Sequence, residues 1–249
     1  MEIVVLMAGE GKRFTDVYGD VYKPFVEVKG KTILEWTLLS IPFKDHHLNF
    51  TIQEKHDDKF DVVRRLIDTF GENIFICSMD RLTRGNLETA FNTTLNMFDE
   101  GYLNSDNEIL FLDADNLYNG DDLFNFIENK KKITDNFAVL TGFEPLDDSA
   151  KWCFFKLNRD EVTGVYEKDS AALKSGGKPM VGVFYFSNVE QFLDSADKTL
   201  KGDNTVNGEY YLSSVIKTYL RDGIPVFGKI VDGVVPLGTP EDMEKYGKT

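Results

Sequence analysis

The stretch Ile3-Val4-Val5-Leu6-Met7-Ala8-Gly9-Glu10-Gly11-Lys12-Arg13 decides the fold. Its apolar residues run without alternation, as in a strand buried on both faces of a parallel sheet. The run opens straight into a Gly-x-Gly turn. Glycines let a backbone approach phosphate oxygens closely, and successive amides form a nest for anions. The turn is not a dinucleotide fingerprint, since the third glycine is missing. It is not a P-loop either, since no Gly-Lys-Ser/Thr follows. Arg13 comes two residues after Gly11, and Lys23-Pro24 lies further along. Arg13 can grip two oxygens and Lys23 adds a point charge, a pair suited to a triphosphate. Pro24 biases Lys23 toward an extended backbone, which would aim its side chain.

Working outward, strand and helix alternate over the first ~130 residues, the pattern of βαβ units on a parallel sheet. Thr32 with Glu35 forms a capping box, so a helix is expected from there to about Ile41. Residues 48–53 read as a strand, Asp57 as the cap of a helix through Phe70, and residues 73–78 as a third strand. Leu87, Phe91, Thr94, Leu95 and Phe98 recur at helical spacing after Gly85. Residues 108–112 form a short apolar strand ending at Asp113-Ala114-Asp115-Asn116. The second half is richer in strands, at 137–143, 152–158 and 181–187. Helices follow near 188–200 and 209–221, then a strand near 225–231. No repeat, low-complexity tract or Pro/Ser-rich linker interrupts the chain. The expectation is a single α/β domain over residues 1–249, with a Rossmann-like mixed, mainly parallel sheet flanked by helices.

Composition narrows the function classes. Hydrophobic residues make up 42% of the 249, enough for a substantial core. A formal net charge of −14 argues against a nucleic-acid polymer as partner, because phosphate backbones are bound by basic faces. A mononucleotide needs only a local cluster of donors. Two cysteines, Cys77 and Cys153, indicate no disulfide framework. Met1 leads into an apolar strand without a basic leader region, and no apolar run approaches the ~20 residues of a membrane span. A cytoplasmic enzyme that binds no membrane is expected.

Taken together, these segments resemble the sugar-phosphate nucleotidyltransferases. Gly9-x-Gly11-x-Arg13 followed by Lys23-Pro24-Phe25 is similar to the family signature. Thr83-Arg84-Gly85-Asn86 resembles its glycine loop, and Asp113-Ala114-Asp115-Asn116 its metal segment. Glu167-Lys168 resembles its Glu-Lys-Pro motif, Val181-Gly182-Val183-Phe184-Tyr185-Phe186 its Thr-Gly-x-Tyr-x-Phe strand, Gly208-Glu209-Tyr210-Tyr211-Leu212 its Gly-Glu-x-x-Leu, and Leu237-Gly238-Thr239-Pro240 its Gly-Thr-Pro ending. Each motif is weak alone; their shared order carries the resemblance. Members include glucose-1-phosphate thymidylyl- and uridylyltransferases, mannose-1-phosphate guanylyltransferases and small phosphocholine cytidylyltransferases.

The resemblance implies a nucleotide-diphospho-sugar transferase fold of the GT-A-like type. It implies a Mg²⁺-dependent displacement at the α-phosphorus of a nucleoside triphosphate by a small phosphorylated acceptor, releasing pyrophosphate. It assigns Met7, Ala8, Gly9, Glu10, Gly11, Arg84 and Gly85 to the nucleotide, and Arg13, Lys23 and Asp115 to catalysis. Asp115 and Asp113 would hold the metal. Glu167, Lys168, Gly182 and Glu209 would face the acceptor. The acceptor phosphate is already ionised at neutral pH, so no nucleophile or strong base is required; indeed His46, His47 and His56 fall outside every motif.

The chain departs from the family at three places, all on the acceptor side. Pro236 stands where members often carry an aspartate that binds the metal, with Asp232 nearby. Cys153 stands where sugar-specific members often have glycine, and Asp169 replaces the proline of Glu-Lys-Pro. A non-sugar acceptor such as phosphocholine or a phospho-amino acid is therefore the alternative. A nucleotide-sugar glycosyltransferase would explain Asp113-x-Asp115 but not Gly-x-Gly-x-Arg with Lys-Pro, and a non-catalytic homologue would not need Arg13, Lys23 and Asp115 together.

Overall fold

The computed structural model describes residues 1–149, 151–202 and 205–248. The first half runs β1 (Glu2–Leu6), α1 (Lys12–Tyr18), the short hairpin β2 (Glu27–Val28) and β3 (Lys31–Thr32), α2 (Ile33–Leu38), β4 (His47–Gln53), α3 (Glu54–Phe60), α4 (Val62–Phe70), β5 (Phe75–Met79), α5 (Asn86–Asp99) and β6 (Ile109–Asp113). The chain continues with β7 (Asn116–Asn119), α6 (Leu123–Lys131), β8 (Ala138–Gly142), β9 (Cys153–Asn158), β10 (Glu161–Glu167) and α7 (Ser170–Lys174). It ends with β11 (Lys178–Phe186), α8 (Val189–Lys201), α9 (Ser213–Arg221), β12 (Val226–Ile230), β13 (Asp232–Pro236) and α10 (Pro240–Lys248).

One large sheet has the order β5-β4-β1-β6-β11-β8-β12-β10-β9. β5, β4, β1 and β6 are parallel, and β11 runs antiparallel between β6 and β8. This is the expected mixed, mainly parallel sheet. The apolar run of β1 feeds both layers: Ile3 and Val5 enter one core, Val4 the other. β6 does the same, with Leu110 and Leu112 on one side and Ile109 and Phe111 on the other. A strand sandwiched this way has no polar face, which is why its sequence does not alternate. No described helix is long and apolar enough to cross a membrane.

The capping box at Thr32 forms as expected. Thr32 Oγ1 accepts from the Glu35 amide at 3.1 Å, and Glu35 accepts from the Thr32 amide at 2.8 Å. The helix expected up to Phe70 is instead two, α3 and α4, broken at Asp61, whose φ of +53° is left-handed. Asp57 does act as a cap, but for α4: its Oδ1 accepts from the Val63 amide at 2.7 Å. The expected helix at 209–221 starts only at Ser213. β10, α10 and the pair β7–β13 are elements beyond those expected from the sequence. The pair is short and partly polar, and its strands lie far apart in the chain, so no local pattern marks it.

The break at Asp61 generates a test. Aspartate tolerates the left-handed region, whereas a β-branched residue does not. Asp61→Val should lose about 1–2 kcal/mol of stability, and Asp61→Gly should stay close to the parent. Urea midpoints of the two variants, with circular dichroism to confirm retained helix, check this. Equal losses for both would mean that the turn is not what the side chain supports.

Candidate active site

The carboxyl ends of the parallel strands build the site. Leu6 closes β1 opposite Thr51 of β4 and Asp113 of β6, so the loop after β1 and the segment after β6 emerge side by side. Ligands bind outside such strand ends because that is where connecting loops diverge and leave a crevice.

The loop after β1 is held from behind. The Tyr22 hydroxyl donates to the Met7 carbonyl at 2.6 Å, and the Gln53 amide donates to the Ala8 carbonyl. Burial pushes the Tyr22 phenol well above its usual range, so it stays a donor. Gly11 takes a φ of +62° and starts α1, which carries Arg13. Lys23 was expected to be extended before Pro24. It instead opens a one-turn 3₁₀ helix over 23–25, and Tyr22 is the extended residue. The turn aims the Lys23 ammonium at Asp115, with which it forms an ion pair.

Asp113 and Asp115 sit at the end of β6 and just beyond it. Asn116 donates to Asp115 Oδ1 at 2.9 Å, and the Leu237 amide donates to the Asp115 carbonyl at 2.8 Å. Asp113 rests against β11 at Gly182, where φ is +77° and the register of the strand shifts. A Cβ on residue 182 would come within 2.7 Å of the Asp113 carboxyl carbon, so only glycine fits. Burial and the neighbouring Asp115 push the Asp113 carboxyl up to about 7. The unfolded chain releases that proton near pH 4, so in between the folded state binds the extra proton and this group's contribution to stability falls as pH rises.

Two cavities meet at this seam. The larger, about 540 Å³, is lined by the loop 6–14 together with Lys23, Thr83, Gly85 and Asn86. The smaller, about 300 Å³, is lined by Trp152, Glu167, Lys168, Gly182, Ser213 and Pro236, among others. Arg13, Asn86, Asp113, Asp115, Tyr211 and Gly238 border both.

Most expected site residues converge here. Met7, Ala8, Gly9, Glu10, Gly11, Gly85, Arg13 and Lys23 line the larger cavity, and Glu167, Lys168 and Gly182 the smaller. The Glu10 carboxylate also pairs with Lys55 at 2.9 Å. Glu209, expected on the acceptor side, borders the larger cavity instead. Arg84 lies outside both linings. Its guanidinium pairs with Glu88 at 3.0 Å and stacks 4.9 Å from the Tyr210 ring, so its contribution to the wall is the loop it anchors. Gly85 packs so tightly on the Tyr210 backbone that a side chain there would clash. Asp232 is paired with Asn119 at the far end of β13 and borders neither cavity, so it does not stand in for the aspartate that Pro236 replaces.

Asn86, Tyr211 and Ser213 also line the cavities, beyond the residues that the resemblance assigns. Asn86 bonds Asp113 and accepts from the Leu212 amide at 2.8 Å, tying α5 to α9 across the seam. Ser213 donates to Glu167 at 2.8 Å. The Cys153 thiol lies against that same carboxylate, and burial pushes the thiol well above its usual range. Asn86 and Tyr211 lie inside quoted motifs and were legible in principle; Ser213 carried no signal beyond adjacency.

Whether a divalent cation fits can be judged from the donors. Among the described residues no cluster of three or more His, Cys, Asp and Glu side chains could hold a metal. Mg²⁺, however, is commonly held by one or two carboxylates with substrate phosphates and water. Asp113, which bonds the Asn86 side chain and is pushed toward neutrality by burial and by Asp115, is a carboxyl that a cation would relieve. The pair Asp113 and Asp115 fits such an ion.

The comparisons with known proteins agree with this geometry. No curated protein matches the chain in sequence. In structure it is similar to a nucleoside-diphosphate-sugar pyrophosphorylase of Vibrio cholerae RC9, at 18% identity and a TM-score of 0.81, covering 100% of both chains. It is also similar to the inositol-1-phosphate CTP transferase of T. maritima, at 17% identity and a TM-score of 0.69, covering 99% of this chain and 93% of the other. At such identities the likeness shows a shared fold. The profile of the Nucleotidyl transferase family matches residues 2–235, nearly the whole chain, and the chain therefore belongs to the Nucleotidyl transferase family of enzymes.

Proposed function

We propose that the enzyme joins a nucleoside triphosphate to a small phosphorylated acceptor, with Mg²⁺, and releases pyrophosphate. The carrying observation is that two cavities share one wall made of Arg13, Asp113 and Asp115, with Lys23 beside it. A reaction between two phosphates needs this arrangement, because both anions must be brought together against their mutual repulsion.

The nucleotide takes the larger cavity, its phosphates against the loop 9–13. An oxygen of the acceptor phosphate forms the new bond to the α-phosphorus. The bond to the bridging oxygen of the β-phosphate breaks, and pyrophosphate leaves with that electron pair. Lys23 meets the charge that develops on the α-phosphate. Arg13, on the exposed face of α1 at the border of both cavities, takes the departing pyrophosphate. Lys168 binds the acceptor phosphate from the smaller cavity. Asp115 and Asp113 would hold Mg²⁺, which when bound neutralises phosphate charge. Catalysis of this kind rests on positioning and charge rather than on a protein nucleophile.

The acceptor reading favours a sugar-1-phosphate or a similar phosphorylated polyol, because the Glu167 carboxylate and Ser213 hydroxyl lie in the cavity wall where hydroxyls would meet them. A second reading, a non-sugar phosphate such as phosphocholine, draws on the Trp152 ring in the same wall, since an aromatic face beside a carboxylate suits a quaternary ammonium. Crossing each nucleoside triphosphate with sugar-1-phosphates, inositol-1-phosphate and phosphocholine, with products read by mass spectrometry, separates the two.

Two further tests follow. Lys23→Ala should lower kcat by about 10²–10³ while leaving nucleotide affinity nearly intact, because its charge acts mainly in the transition state. Steady-state pyrophosphate release checks this, and a kcat within threefold of the parent would remove Lys23 from catalysis. Activity should vanish in EDTA and return with Mg²⁺, and Asp115→Asn should be far more damaging than Asp113→Asn. Equal, mild losses would rule out Asp115 as the principal ligand.

A further inference from the structure

Lys168 has a backbone that local sequence does not favour. Its φ is +51°, in the left-handed region, where a residue with a Cβ needs support from its surroundings. Asp169, at φ −105°, caps α7: its Oδ1 accepts from the amides of Ala171 at 2.7 Å and Ala172 at 3.3 Å. Proline would suit neither position. Its ring holds φ near −65°, and it drives the preceding residue toward the extended region. The aspartate that replaces the proline of Glu-Lys-Pro therefore permits a turn that proline forbids.

The turn has a consequence at the seam. It brings Lys168 Nζ to 2.8 Å from the Tyr211 hydroxyl, with the ammonium 4.9 Å from the centre of the Tyr211 ring. The same hydroxyl donates to the Glu209 carboxylate. Lys168 borders only the smaller cavity, Glu209 only the larger, and Tyr211 both. We infer that Tyr211, backed by Glu209 and by the Asp169-capped turn, is a positioning residue that holds the Lys168 ammonium ready for the acceptor phosphate. The phenol accepts from the ammonium because its own proton is committed to Glu209. Consistent with this, the bond to Tyr211 holds the Lys168 ammonium above its ordinary range. The inference rests on the acceptor-side reading of Lys168.

The experiment has a substrate-free arm and a kinetic arm. In the first, the acylation rate of Lys168 by N-succinimidyl acetate is followed by peptide mass spectrometry. Tyr211→Phe and Asp169→Pro should each acylate Lys168 about fivefold faster than the parent, with other exposed lysines unchanged, as expected from losing one charge-assisted hydrogen bond. Asp169→Asn, which keeps a capping side chain, should behave as the parent. In the second arm, glucose-1-phosphate, inositol-1-phosphate and phosphocholine serve as acceptor probes. Tyr211→Phe should raise the acceptor KM about tenfold while kcat and the nucleotide KM stay within about twofold, the split expected when ground-state binding is lost. Lys168 labelling in Tyr211→Phe at the parent rate would overturn the inference. Lys168→Ala separates the two readings: if it leaves the acceptor KM unchanged, the placement of Lys168 on the acceptor fails. If it raises that KM while Tyr211→Phe does not, only the role of Tyr211 fails.

Discussion

The ion pair between Lys23 and Asp115 joins a residue from the N-terminal turn to the end of β6 and sets the electrostatics of the whole site. Asp113 and Asp115 are two carboxyls on one short segment, and like charges so placed cannot both ionise freely. Lys23 compensates one of them. The other, Asp113, is left with burial and its neighbour against it and answers by retaining a proton up to about pH 7. The site thus holds two chemically alike side chains in different settings, one paired with Lys23 and one buried and pushed toward its neutral form.

Charge elsewhere in the molecule follows a different logic. The chain is acidic overall, with a formal net charge of −14. Yet among the described residues five cations, Lys12, Arg13, Lys23, Lys151 and Lys168, line one or both of the two cavities beside six carboxyl groups, on elements far apart in sequence. A net charge speaks for long-range steering and for the exclusion of polyanions. It does not report the local arrangement inside a cleft, where the fold brings cations and carboxyl groups from distant elements side by side.

How much of this was legible beforehand depended on how local the signal was. The apolar strand at residues 3–6, the Gly-x-Gly turn and the capping box at Thr32 are short-range patterns with a direct physical cause, and they fold as the pattern dictates. The short helices α3 and α4 misled because Asp61 can adopt a left-handed backbone without being glycine. Lys23 misled because tertiary attraction to Asp115 overrides the bias that Pro24 imposes. Ser213 was invisible as a site residue because its bond to Glu167 spans a long sequence separation, whereas Asn86, inside the Thr83-Arg84-Gly85-Asn86 segment, was legible by its place though not by its bond to Leu212. Arg84 shows a different limit: the motif suggests a ligand contact, and it carries no sign that Glu88, one helical turn away, pairs with the guanidinium.

The pairing of β13 with β7 has an implication for how the enzyme comes into being. Pro236 faces Asn116 in that ladder, and the next amide, of Leu237, closes on the carbonyl of Asp115. The segment that carries Asp115 is thus propped by residues synthesised some 120 positions later. A nascent chain can lay down β1, β4 and β6 while Asp115 still lacks its final support. A chain cut short before β13 would leave the backbone of Asp115 without the bond from Leu237 and the larger cavity without Gly238 in its wall.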